Sequence, residues 1–388
     1  MNAKRIYLDY ASAAPLRHSV KSAISELFDG AIGDPSRIYF EGVLARDIIE
    51  NARLVVSEFA GVSPRQFIFT ASVTEAASLS IYSALSKNPG GTILVSEVEH
   101  SGIKKACVSF AKLFKSEVRF LDVKSDGSIK VDELENYLKT ARSRGEKLAL
   151  IALQWANQEV GTLQPVKDVS VLAQSHEVPL LIDAAQVFGL MEFNLKDINA
   201  DYICVSSIKM GGPPGIAGLI VSGLRKINPL FFGQQERARR GGLENMIGIV
   251  GFAAACKELS KTNAVVSLAE NNQKLTQLAH KMLKDIDGIE FYGNLANKVP
   301  HILSFGLDNL EAEGCLIALD QHGISIHSGS SCSSEGLEES DVLKAMGISQ
   351  TKPIRLSVGW NSKDQDIEIF VQTFIEVVYS LRKLVTNY

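Results

Sequence analysis

Five groups in this chain stand where apolar runs or helices meet polar turns, and their types suggest one kind of chemistry. Lys209 follows the apolar run Tyr202-Ile203-Cys204-Val205 and precedes Gly211-Gly212-Pro213-Pro214-Gly215. An amine held in a desolvated cleft by such a turn can form a Schiff base with an aldehyde cofactor; the plainer alternative is a solvated loop lysine. Asp183 ends the run Leu180-Leu181-Ile182. A carboxylate there needs a partner, either a protonated pyridine nitrogen or the N–H groups of a helix that it caps. Gln186, three residues on, can reach the phenolic oxygen of such a ring. His100, in Glu97-Val98-Glu99-His100-Ser101, can stack on a flat ring and move protons near neutral pH; otherwise it is a loop histidine near a helix cap. Phe69-Thr70-Ala71-Ser72-Val73-Thr74-Glu75 offers helix N–H groups and the Ser72 and Thr74 hydroxyls to an anion such as a phosphate. The same residues also spell a capping box, Ser72 with Glu75.

Cys332 is a different case. It sits in Ser328-Gly329-Ser330-Ser331-Cys332-Ser333-Ser334-Glu335-Gly336, a segment with no apolar residue, expected to be an exposed, mobile loop. An exposed free thiol is costly to keep unless it reacts. The other cysteines read differently: Cys204 and Cys256 lie in apolar runs as small core residues. Five cysteines with no Cys-x-x-Cys spacing support neither a disulfide framework nor a metal site.

These groups need a scaffold, and the first two-thirds of the chain supplies alternating strands and helices. Phe67 to Thr70, Thr92 to Val95, Val118 to Leu121, Leu148 to Leu153, Leu180 to Ile182 and Tyr202 to Val205 read as strands. Helices are expected from Thr74 to Leu85, Ser101 to Leu113 and Val131 to Lys139. The strands are near-continuous apolar runs, as in a mainly parallel sheet covered on both faces. In such sheets ligands bind at the carboxyl ends of strands, where Lys209, Asp183 and His100 all fall. The last third changes character. An amphipathic helix from Val265 to Ile286, short strands at His301 to Phe305 and Ile354 to Ser357, and a helix from Asp364 to Leu384 read as a smaller α+β domain. The expected division is 16–260 for the large α/β domain, with 1–15 and 261–388 forming the small domain that carries the Cys332 loop.

Composition narrows the class. Of 388 residues, 46% are apolar and 22% charged, and the net charge is −4; this argues against a general nucleic-acid or membrane-surface binder. Met1 to Arg5 is basic, but Asp9 arrives before any apolar core, so no secretory signal is read. The longest charge-free apolar stretch noted, Met246 to Cys256, is short of the ~18–20 residues that span a bilayer. The expectation is a cytoplasmic protein. One dense basic patch, Arg237, Arg239 and Arg240, reads as a solvated or interface-facing segment.

Taken in order, these motifs resemble the cysteine desulfurase family, in the class V aminotransferase group of fold-type-I enzymes that use pyridoxal 5'-phosphate. The resemblance runs from Tyr7-Leu8-Asp9-Tyr10 to Ile354-Arg355-Leu356-Ser357-Val358-Gly359, and the Ser-rich segment around Cys332 resembles the mobile-loop branch. It implies that Lys209 in Ser206-Ser207-Ile208-Lys209 holds the cofactor as a Schiff base. Asp183 and Gln186 would hold the pyridine nitrogen and ring hydroxyl, and His100 would stack on the ring. Val73, Thr74 and Ser206 would bind phosphate. Asn157, in Asn157-Gln158-Glu159-Val160-Gly161, would contact the cofactor and the substrate carboxylate, and Arg355 would clamp that carboxylate. Cys332 would take sulfur from L-cysteine as a persulfide, releasing alanine, and pass it to an acceptor protein, an iron–sulfur scaffold or a tRNA-thiolating enzyme.

Some positions depart from the family pattern. Ile208 stands in place of a histidine, and Leu243 in place of a threonine that reaches the phosphate across a dimer. Ser72-Val73 replaces Gly-Ala, and Asp34-Pro35-Ser36 and Trp360 also differ. Weaker cofactor binding is expected unless Arg237 or Arg240 compensates. Selenocysteine lyase, another class V aminotransferase-like enzyme, or a weakly active platform for sulfur-carrier partners are the alternatives. A homodimer is expected, because a lone chain would expose the apolar helix from Met246 and leave three arginines facing no anion.

Overall fold

The computed structural model describes residues 5–28, 30, 33–223, 225–308, 310–329, 339–348 and 353–386. Cys332 lies outside them, and with it the expectation of an exposed loop.

The apolar runs pair as their composition demands. Seven strands form one sheet in the spatial order Phe67–Thr70, Ala217–Val221, Tyr202–Ser206, Leu180–Asp183, Leu148–Gln154, Thr92–Ser96, Val118–Leu121. All run the same way except Ala217–Val221, which is antiparallel to both neighbours. That reversed strand was not anticipated. It returns directly from the Gly- and Pro-rich turn after Lys209, so its first residues lie at the same sheet edge as the carboxyl ends of the others. Four of the seven strands are buried along their whole length, and two more are buried except at one end, Leu148 and Asp183.

Two long helices escaped the sequence reading, His18–Phe28 and Phe40–Ala60. Both pack on Met246–Leu259, and this corrects an expectation. The apolar helix is not left bare by a lone chain: Met246, Ile249, Phe252, Ala255 and Cys256 are buried. Phe252 sits tilted against Phe67 and edge-on to Phe188, both at 6.2 Å between ring centroids. Truncating such a residue to alanine costs about 3–5 kcal/mol.

The three arginines are also not without partners. Arg237 pairs with Glu50 at 3.0 Å and Arg240 with Glu75 at 2.7 Å, while Arg239 donates to the carbonyls of Arg65, Phe67 and Glu236. Beneath them Glu236 forms a two-pronged ion pair with Arg53, at 2.7 and 2.8 Å, both side chains buried. Glu236, Arg237 and Ala238 all take left-handed backbone, with φ of 48°, 58° and 60°. A short run of this kind in side-chain-bearing residues is strained, and the buried ion pair holds it in place. Arg237 and Arg240, already neutralised by carboxylates, are poor replacements for missing phosphate ligands.

The last third forms its own core. An antiparallel sheet, Ile354–Ser357, Ile302–Leu307, Ile289–Tyr292, packs with helices Ala264–Leu283, Ala312–Gln321 and Asp364–Thr386 around Phe305, Phe370 and Phe374. Leu8 joins this core, and Ile6–Tyr7 pairs in parallel with Ile324–Ser325. Four cysteines, Cys107, Cys204, Cys256 and Cys315, are free and buried. No described helix is long and apolar enough to cross a membrane.

Candidate active site

A cavity of about 290 Å³ opens at the carboxyl ends of the parallel strands. Most of the strands deliver a residue to it. The turn after Phe67–Thr70 brings Ser72, Val73 and Thr74, and the turn after Thr92–Ser96 brings His100. Leu180–Asp183 and its following turn supply Asp183 and Gln186; Tyr202–Ser206 and the 3-10 turn after it supply Ser206 and Lys209. Arg355 enters from the small sheet.

Lys209 reaches this space because the chain reverses tightly behind it. Gly211 has φ 89°, and a Cβ there would come within 2.8 Å of Arg17 Cγ; a Cβ on Gly212 would collide with Ser207 Oγ at 2.1 Å. The Lys209 amine donates to the carbonyls of Ala11 and Ser12 at 2.7 and 2.6 Å. Burial, helped by the Arg355 guanidinium, brings its pKa down to about 8, so a fraction of the amine is neutral and nucleophilic near neutral pH.

Burial pushes the Asp183 carboxyl up, and the Ala185 N–H, 2.9 Å from Oδ1, works against that rise, as do His100 and Lys209. Asp183 thus accepts the capping N–H and lines the cavity as well. His100 is itself the cap of helix Ser101–Phe114: its Nδ1 accepts from Gly102 N–H at 3.1 Å. Burial lowers its pKa, so the ring is neutral with its proton on Nε2. Ser72 is spent as the capping box allowed, accepting from Glu75 N–H at 3.1 Å, and Glu75 accepts from Ala71 N–H at 2.7 Å. The first-turn N–H groups of helix Val73–Lys87 have no acceptor inside the helix, and Val73 and Thr74 line the cavity.

Arg355 is 2% exposed. It donates to Asp9 Oδ1 at 2.7 Å, Ser12 Oγ at 2.6 Å and the Gln158 carbonyl at 2.7 Å, and its buried Nε has no partner among the described residues. Asn157 is placed differently from expectation. Fully buried, it lies outside the cavity lining, with Oδ1 accepting from Glu159 and Val160 N–H and Nδ2 donating to the Val98 carbonyl. It shapes the loop that presents Gln158. Leu243 is 61% exposed, while Ile208 faces the cavity.

Several contributors went unread in the sequence. Asp9 lay in a quoted motif, but nothing local shows that it holds Arg355 some 346 residues away. Glu99 is buried beside the site; burial and the Asp183 charge raise its pKa well above the carboxylate range, and one oxygen has no partner among the described residues. Its neighbour His100 was the only nearby signal. Glu159 accepts from Ser340 Oγ at 2.5 Å, and the His327 carbonyl accepts from Arg355 N–H at 2.7 Å. Residues on both sides of the Cys332 segment therefore attach beside the cavity.

The cavity's groups suit pyridoxal 5'-phosphate: an amine of lowered pKa for its aldehyde, a carboxylate for its pyridine nitrogen, helix N–H groups for its phosphate and a neutral imidazole beside them. Arg355 brings a positive charge to the same cavity. The family model for aminotransferase class-V matches residues 6–370. A curated relative from Dictyoglomus turgidum, named cysteine desulfurase IscS, is 30% identical over 98% of this chain and 96% of its own. Among solved structures, a NifS-like protein superposes with a TM-score of 0.86 at 25% identity, covering 97% of this chain and 100% of its own. SspA, solved in complex with cysteine, gives 0.78 at 25% identity over 92% and 99%. Length, fold and site thus agree, and the chain belongs to the aminotransferase class-V family, among its pyridoxal-phosphate-dependent cysteine desulfurases.

Proposed function

We propose that this protein is a cysteine desulfurase, converting L-cysteine to L-alanine while Cys332 takes the sulfur as a persulfide. The observation that carries the reading is Lys209. Its amine has a pKa of about 8 and shares one small cavity with Asp183, Gln186, His100 and Arg355. When bound, pyridoxal 5'-phosphate supplies an aldehyde that condenses with amines and a ring that accepts electrons from the substrate α-carbon.

The chain's residues do the rest. Val73, Thr74 and Ser206 would hold its phosphate, the Asp183 carboxylate would face its pyridine nitrogen, and the Gln186 amide would donate to its ring oxygen. Arg355 takes the substrate carboxylate, exchanging part of its contact with Asp9 for the incoming anion. Lys209, neutral at Nζ, removes the α-proton; His100 holds its proton on Nε2 and can pass one on. Cys332 forms a sulfur–sulfur bond as the substrate carbon–sulfur bond breaks, and the carbon fragment keeps the electron pair and is protonated to alanine. Support for this reach comes from the flanks: a Cβ placed on Gly329 would lie 3.7 Å from the Cβ atoms of both Glu159 and Arg355, and Ser340 bonds Glu159.

The same reading divides the chain at 16–260 against 1–15 with 261–388, supported by the separate core around Phe305, Phe370 and Phe374. It places the protein in the cytoplasm and hands its sulfur to a scaffold or tRNA-thiolating acceptor. It also makes the protein a homodimer, now on different grounds: Ile38, Phe40, Phe231 and Phe232 are 93%, 74%, 60% and 85% exposed, and apolar side chains clustered on short segments in this way mark interfaces. The test is an assay of sulfide and alanine from L-cysteine with wild type and Lys209→Ala. Equal turnover by the variant, or none by the wild type with cofactor bound, refutes the assignment.

A further inference from the structure

Gln186 is useful to a ring oxygen only if its amide nitrogen, and not its carbonyl, faces the cavity. An unrestrained amide can flip. Here both ends are held. Gln186 Nε2 donates to the Ala11 carbonyl at 3.0 Å, and Gln186 Oε1 lies 3.0 Å from His301 Nε2. The Ala11 carbonyl can only accept, so the amide nitrogen must face it, and Oε1 must face His301. His301 Nε2 then has to carry the proton. An amide nitrogen has two hydrogens, and with one given to Ala11 the other remains for the cavity that Gln186 lines.

His301 is 1% exposed and immediately precedes the strand Ile302–Leu307 of the small sheet, outside the cavity lining. Its Nδ1 is buried with no partner among the described residues. A buried unfilled acceptor costs less than a buried unfilled N–H, so this too favours the proton on Nε2. Burial, followed by the charges of Lys298, Arg355 and Lys209, lowers its pKa to about 3, and the ring stays neutral throughout the working range.

We infer that His301 is a positioning residue for cofactor binding, fixing the Gln186 amide so that an N–H points at the ring oxygen. This deepens the proposed function and rests on its assignment of Gln186. The Ala11 carbonyl also accepts from Lys209, so the same chain of contacts touches both residues that face the ring and its aldehyde.

A double-mutant cycle tests the inference, read as the dissociation constant of pyridoxal 5'-phosphate by equilibrium dialysis. His301→Leu should weaken binding about tenfold, the worth of one hydrogen bond, and shift the visible band of the bound cofactor. His301→Gln, which retains an amide donor, should recover most of the affinity. In a Gln186→Leu background, His301→Leu should change affinity less than about twofold, because contacting residues are not additive. An equal loss in both backgrounds makes His301 merely structural and overturns the inference. Nitrogen-15 spectra of the cofactor-free protein give a reading independent of the cofactor. A proton on His301 Nε2 is expected, and one on Nδ1 overturns the inference even where every variant folds. Should the wild type bind no pyridoxal 5'-phosphate, the proposed function falls, and the claim about cofactor positioning falls with it. A wild type that binds it while the cycle is additive sinks only the inference.

Discussion

The lowered pKa of Lys209 makes a prediction about stability that needs no turnover. Replacing it with methionine, Lys209→Met, keeps much of the apolar stem and removes the charge. In the folded chain the amine titrates at about 8, against 10.5 in the open chain; at about 1.4 kcal/mol per pH unit this amounts to roughly 3 kcal/mol. The sign follows from which state holds more protons. Below pH 8 both states are protonated at this site, and the folded chain bears the full cost of a buried charge. Between 8 and 10.5 the unfolded chain holds the extra proton, so wild-type stability rises with pH relative to the variant. The lost hydrogen bonds to Ala11 and Ser12 offset the comparison by an amount that hardly changes with pH. Urea unfolding of both cofactor-free proteins at intervals across this range should therefore show the wild type gaining about 3 kcal/mol on Lys209→Met. A difference that stays flat to within about 0.5 kcal/mol refutes the claim that Lys209 is held desolvated and ready to react.

Three further outcomes can be checked. Cys332→Ser should bind pyridoxal 5'-phosphate normally yet yield no alkylatable persulfide after treatment with cysteine, as read by mass spectrometry. Glu236→Gln should destabilise the chain by about 3 kcal/mol, because it removes the buried carboxylate from Arg53 and leaves only the half-exposed Glu50 paired with it; unfolding should also show that adding Arg53→Met restores much of the loss. Ile208→His should tighten pyridoxal 5'-phosphate binding, since position 208 faces the cavity, whereas an unchanged dissociation constant would mean that the phosphate needs no donor there.

What was legible in the sequence followed from short-range rules. Buried strands such as Leu148–Gln154 and Tyr202–Ser206 show themselves as apolar runs bounded by turn residues, and a polar residue at the end of such a run is visible by contrast. That is why Lys209, Asp183 and His100 could be picked out and placed at one sheet edge. Helix Phe40–Ala60 was missed because its apolar positions are interrupted by charge: Arg53 lies on its buried face, and its buried carboxylate partner is Glu236, 183 residues away. Strand Ala217–Val221 was missed because its small residues follow a glycine-rich turn, and only pairing with both neighbours makes it a strand.

By itself, then, the order of residues determined the alternating α/β architecture, the family, and the chemical types brought to the strand ends. Tertiary structure alone decided which of those groups are free to act. It joined Asp9 to Arg355 and His301 to Gln186, turned Asn157 inward, and gave Arg237 and Arg240 carboxylates of their own. These contacts link residues far apart along the chain. Their worth depends on burial and on the geometry of two side chains at once, and neither quantity exists until the chain has folded.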